Sequence, residues 1–349
     1  MGDVTDERAD PDRSSGPPSR VLAIEVGGTN LRAAIFDPIT MTLADRAHAE
    51  AAAFTGRDRA AQSELVRTLH ELGAEVLGDR RADVVSIAYP GPIDGNGVVL
   101  AAPTVHGAAA SRPFPLLKEC SGVWPHARVL VLNDLTAAGL RYAEEGLEDF
   151  CVLTVGSGVG HKVFVDGRPL IGPGGRGGEI GHLRVDDSPG ALPCDCGDRG
   201  HLGGIASGRG SVQLVRMEAE RDDAGFRRST LGQAVGTPAA VDGPAIAVAF
   251  GRADPWVRSA IRTGVEHLGH GIAAIHLSTG VERFVLIGGF AFAMGEEYRR
   301  LLVGAVEAAC WRIGQDWDDL IGFGIPDDDQ GMMGAGLFAL REGVGSDRA

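Results

Sequence analysis

No stretch of this chain approaches the ~20 uninterrupted apolar residues that a membrane-spanning helix needs, so it is not expected to enter a bilayer. Cysteine is scarce: five in 349 residues, an odd number scattered over a long chain. That rules out the dense disulfide framework of a small secreted protein, and predicts reduced thiols and a cytoplasmic location. The opening "MGDVTDERADPDRSSGPPSR" lacks an apolar signal-peptide core and the Ser or Thr of a myristoylation site. Residues 1–20 therefore read as a disordered tail. Positive charge is short too, 33 Lys and Arg against 47 Asp and Glu, for a net charge of −14. Such a chain repels phosphate backbones and anionic membranes, so neither nucleic acid nor a membrane surface is expected as a partner. Small phosphorylated ligands stay compatible with it, because backbone N–H groups bind them locally.

Glycine, by contrast, is abundant at 52 residues, which calls for many tight turns or close backbone approaches. The length predicts two domains. Ordered structure is expected from Val21, where "VLAIEVGGTNLRAAIFDP" gives a buried strand, a Gly-Gly turn and a second strand ending at Asp37-Pro38. Leu65, Leu69, Leu72 and Val76 recur at helical spacing. "DVVSIAYPGPIDG" is a short strand stopped by a Pro-Gly-Pro loop. "ARVLVLNDLTAAGLRYAEEG" is a strand running through Asn133-Asp134 into a helix.

At Cys151 the plan starts again, with "CVLTVGSGVGHKVFVDGRPLIG" as strand, glycine turn, strand. A loop is expected from Pro173 to about Gly210, and helices after it. The clearest helix opens at Asp254-Pro255 and carries Ile261, Val265, Leu268, Ile272 and Ile275 on one face. That stripe is read as buried in its own domain or as part of a homodimer interface. "ERFVLIGGFAFAMGEEYRRLL" is strand, Gly-Gly turn, helix, and "GMMGAGLFALREG" closes the chain as an apolar helix. Both halves open alike, the mark of a duplicated α/β domain. A ligand held between them would meet two facing glycine turns, and clefts between domains are where small-molecule sites usually lie.

Three glycine turns carry candidate chemistry. In "GGTN", Gly27 and Gly28 let backbone approach a ligand, Thr29 and Asn30 follow, and Arg32 supplies a cation; together they suit a phosphate, although a plain hairpin turn needs the same glycines. In "VGSGVG", Gly156, Ser157, Gly158 and Gly160 are spaced for a second backbone cradle. No Gly-Lys-Ser/Thr follows as in a P-loop, and a strand rather than a helix comes next, unlike a dinucleotide fingerprint. Gly288 and Gly289 form the third turn, suited to a base or ribose. Asp134 is the candidate general base, at a strand end before a helix, where open α/β sheets place ligands. The same position also suits a helix cap. "PCDCGDRGHLGG" places Cys194, Cys196 and His201 close together. Its spacing excludes a C-x-x-C redox pair, leaving a metal site or two reduced thiols in a turn.

Residues 21–349 resemble the ROK family of sugar kinases, within the hexokinase, Hsp70 and actin superfamily. "IEVGGTNLRAAIFD" is similar to its first phosphate motif and "LTVGSGVGHKVFVDG" to its second. "LNDLTAAGL" resembles the segment with the catalytic base, "GGEIGHLRV" with "CDCGDRGHLGGIASG" the zinc signature, and "VLIGGFAFA" the adenosine motif. The resemblance implies an α/β fold of two ribonuclease-H-like domains, the actin-like ATPase architecture, closing over a cleft. The expected lobes span 21–134 and 135–330, with a final helix at about 330–345 packing back on the first. It implies ATP with Mg2+, a sugar or cyclitol acceptor, Asp134 as base beside Asn133, and sugar contacts from Thr104, Glu179 and His182. It further implies a structural Zn2+ held by His182, Cys194, Cys196 and His201, with Glu25 near Mg2+ and Arg32 bracing the first turn.

The chain departs from that family at several positions. His201 stands where the pattern has a third cysteine, which keeps tetrahedral N/S ligation available. Gly203 stands where the pattern has a sugar-binding Glu, and Thr104 where it has an Asn. Glu25 replaces Asp, and His161 replaces a glycine. Losing two hydroxyl readers predicts weakened glucose recognition or a differently substituted ring, since such sites discriminate by factors on the order of 10⁴. The expected activity is ATP-dependent phosphorylation of a primary hydroxyl on a glucose-like ring, an amino sugar or a C7-cyclitol. Plain glucokinase and a non-catalytic sugar sensor are the alternatives. A DNA-binding repressor is disfavoured, because the roughly 20 residues before the first strand are too few for a helix-turn-helix head and are acidic on balance.

Overall fold

The computed structural model describes residues 20–51, 59–106 and 113–344. The tail expected over residues 1–20 lies, apart from Arg20, outside them. The first half builds a sheet from β1 (Val21–Val26), β2 (Asn30–Asp37), β3 (Thr42–Glu50), β4 (Val84–Tyr89) and β5 (Arg128–Asn133), in the order β3-β2-β1-β4-β5. The second half builds another from β6 (Phe150–Val155), β7 (Val159–Val165), β8 (Arg168–Pro169), β9 (Phe284–Ile287) and β10 (Ile321–Phe323), in the order β8-β7-β6-β9-β10. Moving each strand number up by five converts one order into the other. The senses agree as well. The hairpin pairs β1–β2 and β6–β7 are antiparallel, and β1–β4, β4–β5, β6–β9 and β9–β10 are parallel. The duplication read from two strand–turn–strand openings thus extends to complete sheets.

The central strands are apolar because they are covered on both faces. Every residue of β4 is buried, and in β1 only Glu25 is not fully so. Helices α1 (Arg59–Leu77), α2 (Pro103–His106) and α3 (Leu116–Val123) belong to the first half. The α1 stripe of Leu65, Leu69, Leu72 and Val76 packs with Leu22, Ile24 and Val85 in one core. The second half carries α5 (Leu202–Ala206), α6 (Gly208–Arg221), α7 (Asp223–Arg228), α8 (Thr230–Val235), α9 (Gly243–Gly251), α10 (Pro255–Thr279), α11 (Gly289–Ala309) and α12 (Trp317–Leu320). Asp254 caps α10, its carboxylate accepting from Trp256 and Val257 N–H, and Pro255 fills the first position, as the sequence anticipates. The stripe of that helix, from Ile261 to Ile275, is buried in the core of its own half.

A third core lies between the sheets. It is made by α4 (Asp134–Glu144) and α13 (Gln330–Val344) with the inner faces of both, including Ala23, Phe36, Phe150, Phe164 and Ile287. The last helix packs along α4, β1 and β4. Glycine makes this crossing possible: a Cβ on Gly334 would fall 1.7 Å from the Ala137 carbonyl oxygen.

Two elements differ from expectation. β3 was not anticipated. Its sequence "TLADRAHAE" is largely solvent-facing, so it lacks the apolar alternation that marks a strand. The loop expected from Pro173 to about Gly210 instead contains a 3-10 turn (Ile180–His182), all of α5 and the start of α6. Gly203, Gly204, Gly208 and Gly210 argue against helix by intrinsic propensity. Packing reverses that: a Cβ on Gly210 would lie 2.7 Å from the Gly204 backbone, and one on Gly204 would lie 2.7 Å from the Pro193 carbonyl oxygen.

Candidate active site

The C-terminal end of β5 delivers Asn133 and Asp134, and the two do different work. Asn133 is the helix cap: its Oδ1 accepts from the N–H groups of Leu135 and Thr136, and its amide donates to the Gly91 carbonyl. Asp134 is thereby freed from capping. Its Oδ1 accepts from Leu135 N–H at 2.8 Å and from Asn133 Nδ2 at 3.0 Å. Burial pushes its carboxyl up to about 6, opposed by the Leu135 N–H, raised further by Glu179 and lowered by Lys162. A carboxylate with that affinity is suited to taking a proton near neutral pH.

The glycine hairpins face one another. The first turn closes with Gly27 N–H donating to the Asn30 carbonyl, and the second with Gly156 N–H donating to that of Gly158. A Cβ on Gly28 would lie 3.4 Å from Ser157 Oγ and 3.2 Å from the Thr104 carbonyl oxygen. Gly288, with φ 105°, backs onto β6, where its Cβ would meet the Val155 carbonyl oxygen at 2.6 Å; Gly289 opens α11. All three turns therefore meet at the ends of their sheets. Thr29 is exposed at the tip of the first.

A cavity between the halves is lined by Thr104 of the first half and by Gly158, His182, Cys194, Asp195, Gly203 and others of the second. Gly203 packs on the 3-10 turn, a Cβ there falling 3.1 Å from the Gly181 carbonyl oxygen. His182, Cys194, Cys196 and His201 converge, with one donor atom from each within 4.8 Å of all the others. Cys196 Sγ lies 3.2 Å from His201 Nδ1. Tetrahedral zinc, with bonds of about 2.0–2.3 Å, spaces its donors about 3.3–3.8 Å apart, so this set fits the ion with small adjustments.

Glu25 sits below the first hairpin. Burial pushes its carboxyl up to about 7; Arg32, 3.6 Å away, opposes this, while Asp134 and Asp328 add to it. Its Oε2 is buried without a hydrogen-bond partner. That oxygen has the Arg32 guanidinium 3.6 Å away as its charge partner, and a carboxylate left without a hydrogen bond within electrostatic reach of Asp134 and Asp328 fits a divalent cation.

Sequence reasoning passed over two residues. Lys162, on β7, is fully buried; its Nζ donates to the Gly177 carbonyl and lies 3.5 Å from Glu179 Oε1. In sequence it stands as a single lysine beside His161 in a strand whose other residues are apolar or glycine, which marks it as unusual without showing what it faces. Its neighbour His161, left without a role by sequence, is held neutral. Burial and then Lys162 push its pKa down to about 4, and its Nδ1 accepts from Ile180 N–H at 3.4 Å, tying β7 to the turn that carries His182. The second residue is Arg209, at the start of α6. Its Nη1 donates to Asp195 Oδ2 at 2.8 Å and its Nη2 to the Gly28 carbonyl at 3.3 Å.

The model of the ROK family matches residues 21–341. The chain belongs to the ROK family. A C(7)-cyclitol 7-kinase of Streptomyces hygroscopicus subsp. limoneus is 35% identical over 345 residues, covering 95% of this chain and 97% of that protein. An N-acetylmannosamine kinase of Escherichia fergusonii is 30% identical over 330 residues, covering 92% and 98%. Among solved structures, a ROK family glucokinase from Streptomyces griseus in complex with glucose and AMPPNP superposes with a TM-score of 0.73 at 22% identity, over 93% of this chain and 99% of that one. This likeness establishes the shared fold, the two-domain α/β architecture expected from the sequence. Among the described residues no helix is long and apolar enough to cross a membrane.

Proposed function

We propose that the chain catalyses ATP-dependent phosphorylation of a primary hydroxyl on a glucose-like ring, with a modified sugar or a C7-cyclitol as acceptor. The observation that carries this reading is the half-buried carboxylate of Asp134 with its raised proton affinity, set at the end of β5 within electrostatic reach of Glu25, Glu179 and Lys162, in a chain whose first two glycine hairpins oppose each other. The kinase names of the two relatives support it, and the cyclitol kinase is similar over nearly the full length of both chains.

In this mechanism the backbone N–H groups around Thr29 and Gly158 hold the phosphates, and the third turn at Gly288 and Gly289 holds the adenosine. Glu179 and His182 orient the ring from the 3-10 turn, and Thr104 closes it from the opposite side. Asp134 accepts the acceptor hydroxyl's proton as that oxygen attacks the terminal phosphorus. Mg2+, when bound, would neutralise phosphate charge, and Glu25 is the residue that would hold it. Arg32 braces the first hairpin by pairing with Glu25 and with Asp328 at 3.4 Å. Gly203 leaves no side chain to read a hydroxyl. Its backbone is packed against Gly181, so ring specificity at this wall rests on shape. A cytoplasmic homodimer belongs to the same proposal.

The deciding experiment is ADP release with a panel of glucose, amino sugars and C7-cyclitols. Turnover fastest with a cyclitol or amino sugar supports the reading. Fastest turnover with glucose would make this a glucokinase. Absence of turnover throughout would leave a sugar sensor, the alternative favoured by the residues at 104 and 203.

Lys162 gives a pH signature. Below pH 6 Asp134 is protonated and cannot act as base, so kcat/KM is expected to fall on the acid side with a midpoint near the value of about 6. Lys162→Met removes a cation that favours the ionised form and is expected to move that midpoint upward by ~0.5–1 pH unit. An unmoved acid limb in the variant would remove Lys162 from the electrostatics of the base.

The Cys/His cluster is proposed to hold structural zinc, which ties down a loop with little apolar surface of its own. Metal analysis is expected to find one zinc per chain, lost in Cys196→Ala, and chelation is expected to lower the melting temperature. A metal-free protein whose melting is indifferent to chelator would contradict the site.

A further inference from the structure

We propose that Arg209 is a catalytic residue that donates hydrogen bonds to the transferring phosphoryl group, and that Asp195 is the positioning residue that aims it. The inference rests on the kinase reading above and adds a role to that site. Arg209 is the second residue of α6, whose first residue, Gly208, donates its N–H to the Gly156 carbonyl of the second hairpin. The helix start is thus seated on one phosphate turn, and its arginine reaches across to the other. Arg209 Nη2 and Ser157 Oγ each stand 3.4 Å from the point where a Cβ on Gly28 would sit. The guanidinium therefore lies at the junction of the two hairpins, between which the triphosphate has to pass.

Two other cations near the cleft are engaged elsewhere. Lys162 is buried against Gly177 and Glu179, and Arg32 pairs with Glu25 and Asp328. Arg209 differs from both. Its side chain is 39% exposed and lines the cavity between the halves. Its contact with the first hairpin is a 3.3 Å bond to a neutral carbonyl, whereas a phosphate oxygen would offer a charge-assisted bond in its place. Two of the five N–H donors of the fork are used in these contacts, so the group can hold Asp195 and still present donors to a tetrahedral anion.

Asp195 fixes the direction of that fork. It lies between Cys194 and Cys196, in a turn closed by Gly197 N–H donating to the Cys194 carbonyl and by Cys194 N–H donating to that of Asp198. Its bond to Nη1 is 2.8 Å, the short distance of an ion pair in good register. An arginine on a free four-bond stem would spend its rotamer freedom on each encounter with a nucleotide. A carboxylate anchored in a tight turn removes that cost before the nucleotide arrives.

During transfer the acceptor oxygen forms a bond to the terminal phosphorus, and its proton passes to Asp134. The bond from that phosphorus to the bridging oxygen breaks, its electron pair leaving with ADP. Negative charge grows on the bridging oxygen while the transferring group passes between donor and acceptor. Arg209, at the hairpin junction, donates to these oxygens and offsets that charge.

The test compares Arg209→Met, Arg209→Lys, Asp195→Asn and the Met/Asn double variant in the full chain. Steady-state rates are measured on whichever acceptor the panel identifies, and ATP and AMP binding by calorimetry without acceptor. Arg209→Met is expected to lower kcat by ~10³-fold or more, the range of arginines that act on a transferring phosphoryl group, and to weaken ATP binding while leaving AMP binding unchanged. Arg209→Lys, which keeps charge without the fork, should recover part of kcat. Asp195→Asn should lower kcat about tenfold with KM for the acceptor and AMP affinity unchanged, and add nothing to Arg209→Met in the double variant. A kcat within about threefold of wild type in Arg209→Met, or equal weakening of ATP and AMP, would overturn the role of Arg209. Additive losses in the double variant would overturn that of Asp195. If the wild-type chain turned over no acceptor, the kinase reading would fail by itself, and the ATP and AMP arms would still decide whether Arg209 meets the terminal phosphate.

Discussion

Asp134→Asn is expected to lower kcat by about 10²–10⁴-fold, the usual contribution of a general base, with nucleotide binding retained. The substitution is close to isosteric, and its carbonyl oxygen can still accept from Leu135 N–H and from Asn133. The fold therefore has no reason to suffer. Stability is expected to move the other way. The folded-state pKa of Asp134, about 6, lies above its ordinary 3.8, because burial disfavours the charged form. Its favourable contribution is therefore complete below pH 3.8 and is lost as pH rises through 6. At pH 8 the native chain holds a desolvated charge that costs on the order of 2 kcal/mol, after discounting for partial contact with solvent. Asparagine removes that charge, so the variant should melt higher than wild type at pH 8, and the gap should close by pH 4. Glu25, whose own carboxyl is raised partly by Asp134, should titrate lower in the variant. An Asn variant that still transfers phosphate would remove the proposed base. One that is dead but also less stable at pH 8 would mean that the carboxylate acts structurally.

The second large effect is on folding. Gly334→Ala would place a methyl group 1.7 Å from the Ala137 carbonyl oxygen and 2.1 Å from its carbon, and neither can move without displacing the α4 backbone. Overpacking typically costs 1–3 kcal/mol, and against rigid backbone the upper end, about 3 kcal/mol, is expected. The loss should be visible as a lower urea midpoint. It should be accompanied by weaker catalysis, since α4 begins at Asp134. Gly304→Ala provides the control. It is also a mid-helix glycine, but nothing lies within 4 Å of its added Cβ, so it should stabilise by about 0.5–1 kcal/mol. Equal midpoints for wild type and Gly334→Ala would show that the closing helix is not held against α4 as described.

Much of the architecture was legible because the signals were local. Strand–glycine–strand openings at Val21 and Cys151 announced the duplication, and Asp254-Pro255 marked its helix start as the structure has it. β3 was illegible for an equally local reason, since an exposed edge strand needs little apolar alternation. The helices inside the expected 173–210 loop were hidden because some of their glycines are dictated by neighbours distant in sequence, such as the Gly156 carbonyl oxygen behind Gly208. In the site itself, Asp134, the glycine turns, Cys194, Cys196 and His201 stand out by type and spacing, and the family resemblance adds His182 to the metal set. Lys162 and Arg209 were not named, because their meaning lies in what faces them.

Order along the chain by itself determined the duplicated α/β plan, the acidic charge, and which residues are candidates to bind phosphate, move a proton or ligate metal. Those properties follow from side-chain type and short-range periodicity. Only the tertiary structure decided which of Asn133 and Asp134 caps and which stays free, which cation lies beneath the base and which spans the hairpins, and why Gly334 tolerates no side chain. Each of those depends on backbone brought close from far along the chain, and on burial that changes a group's affinity for protons.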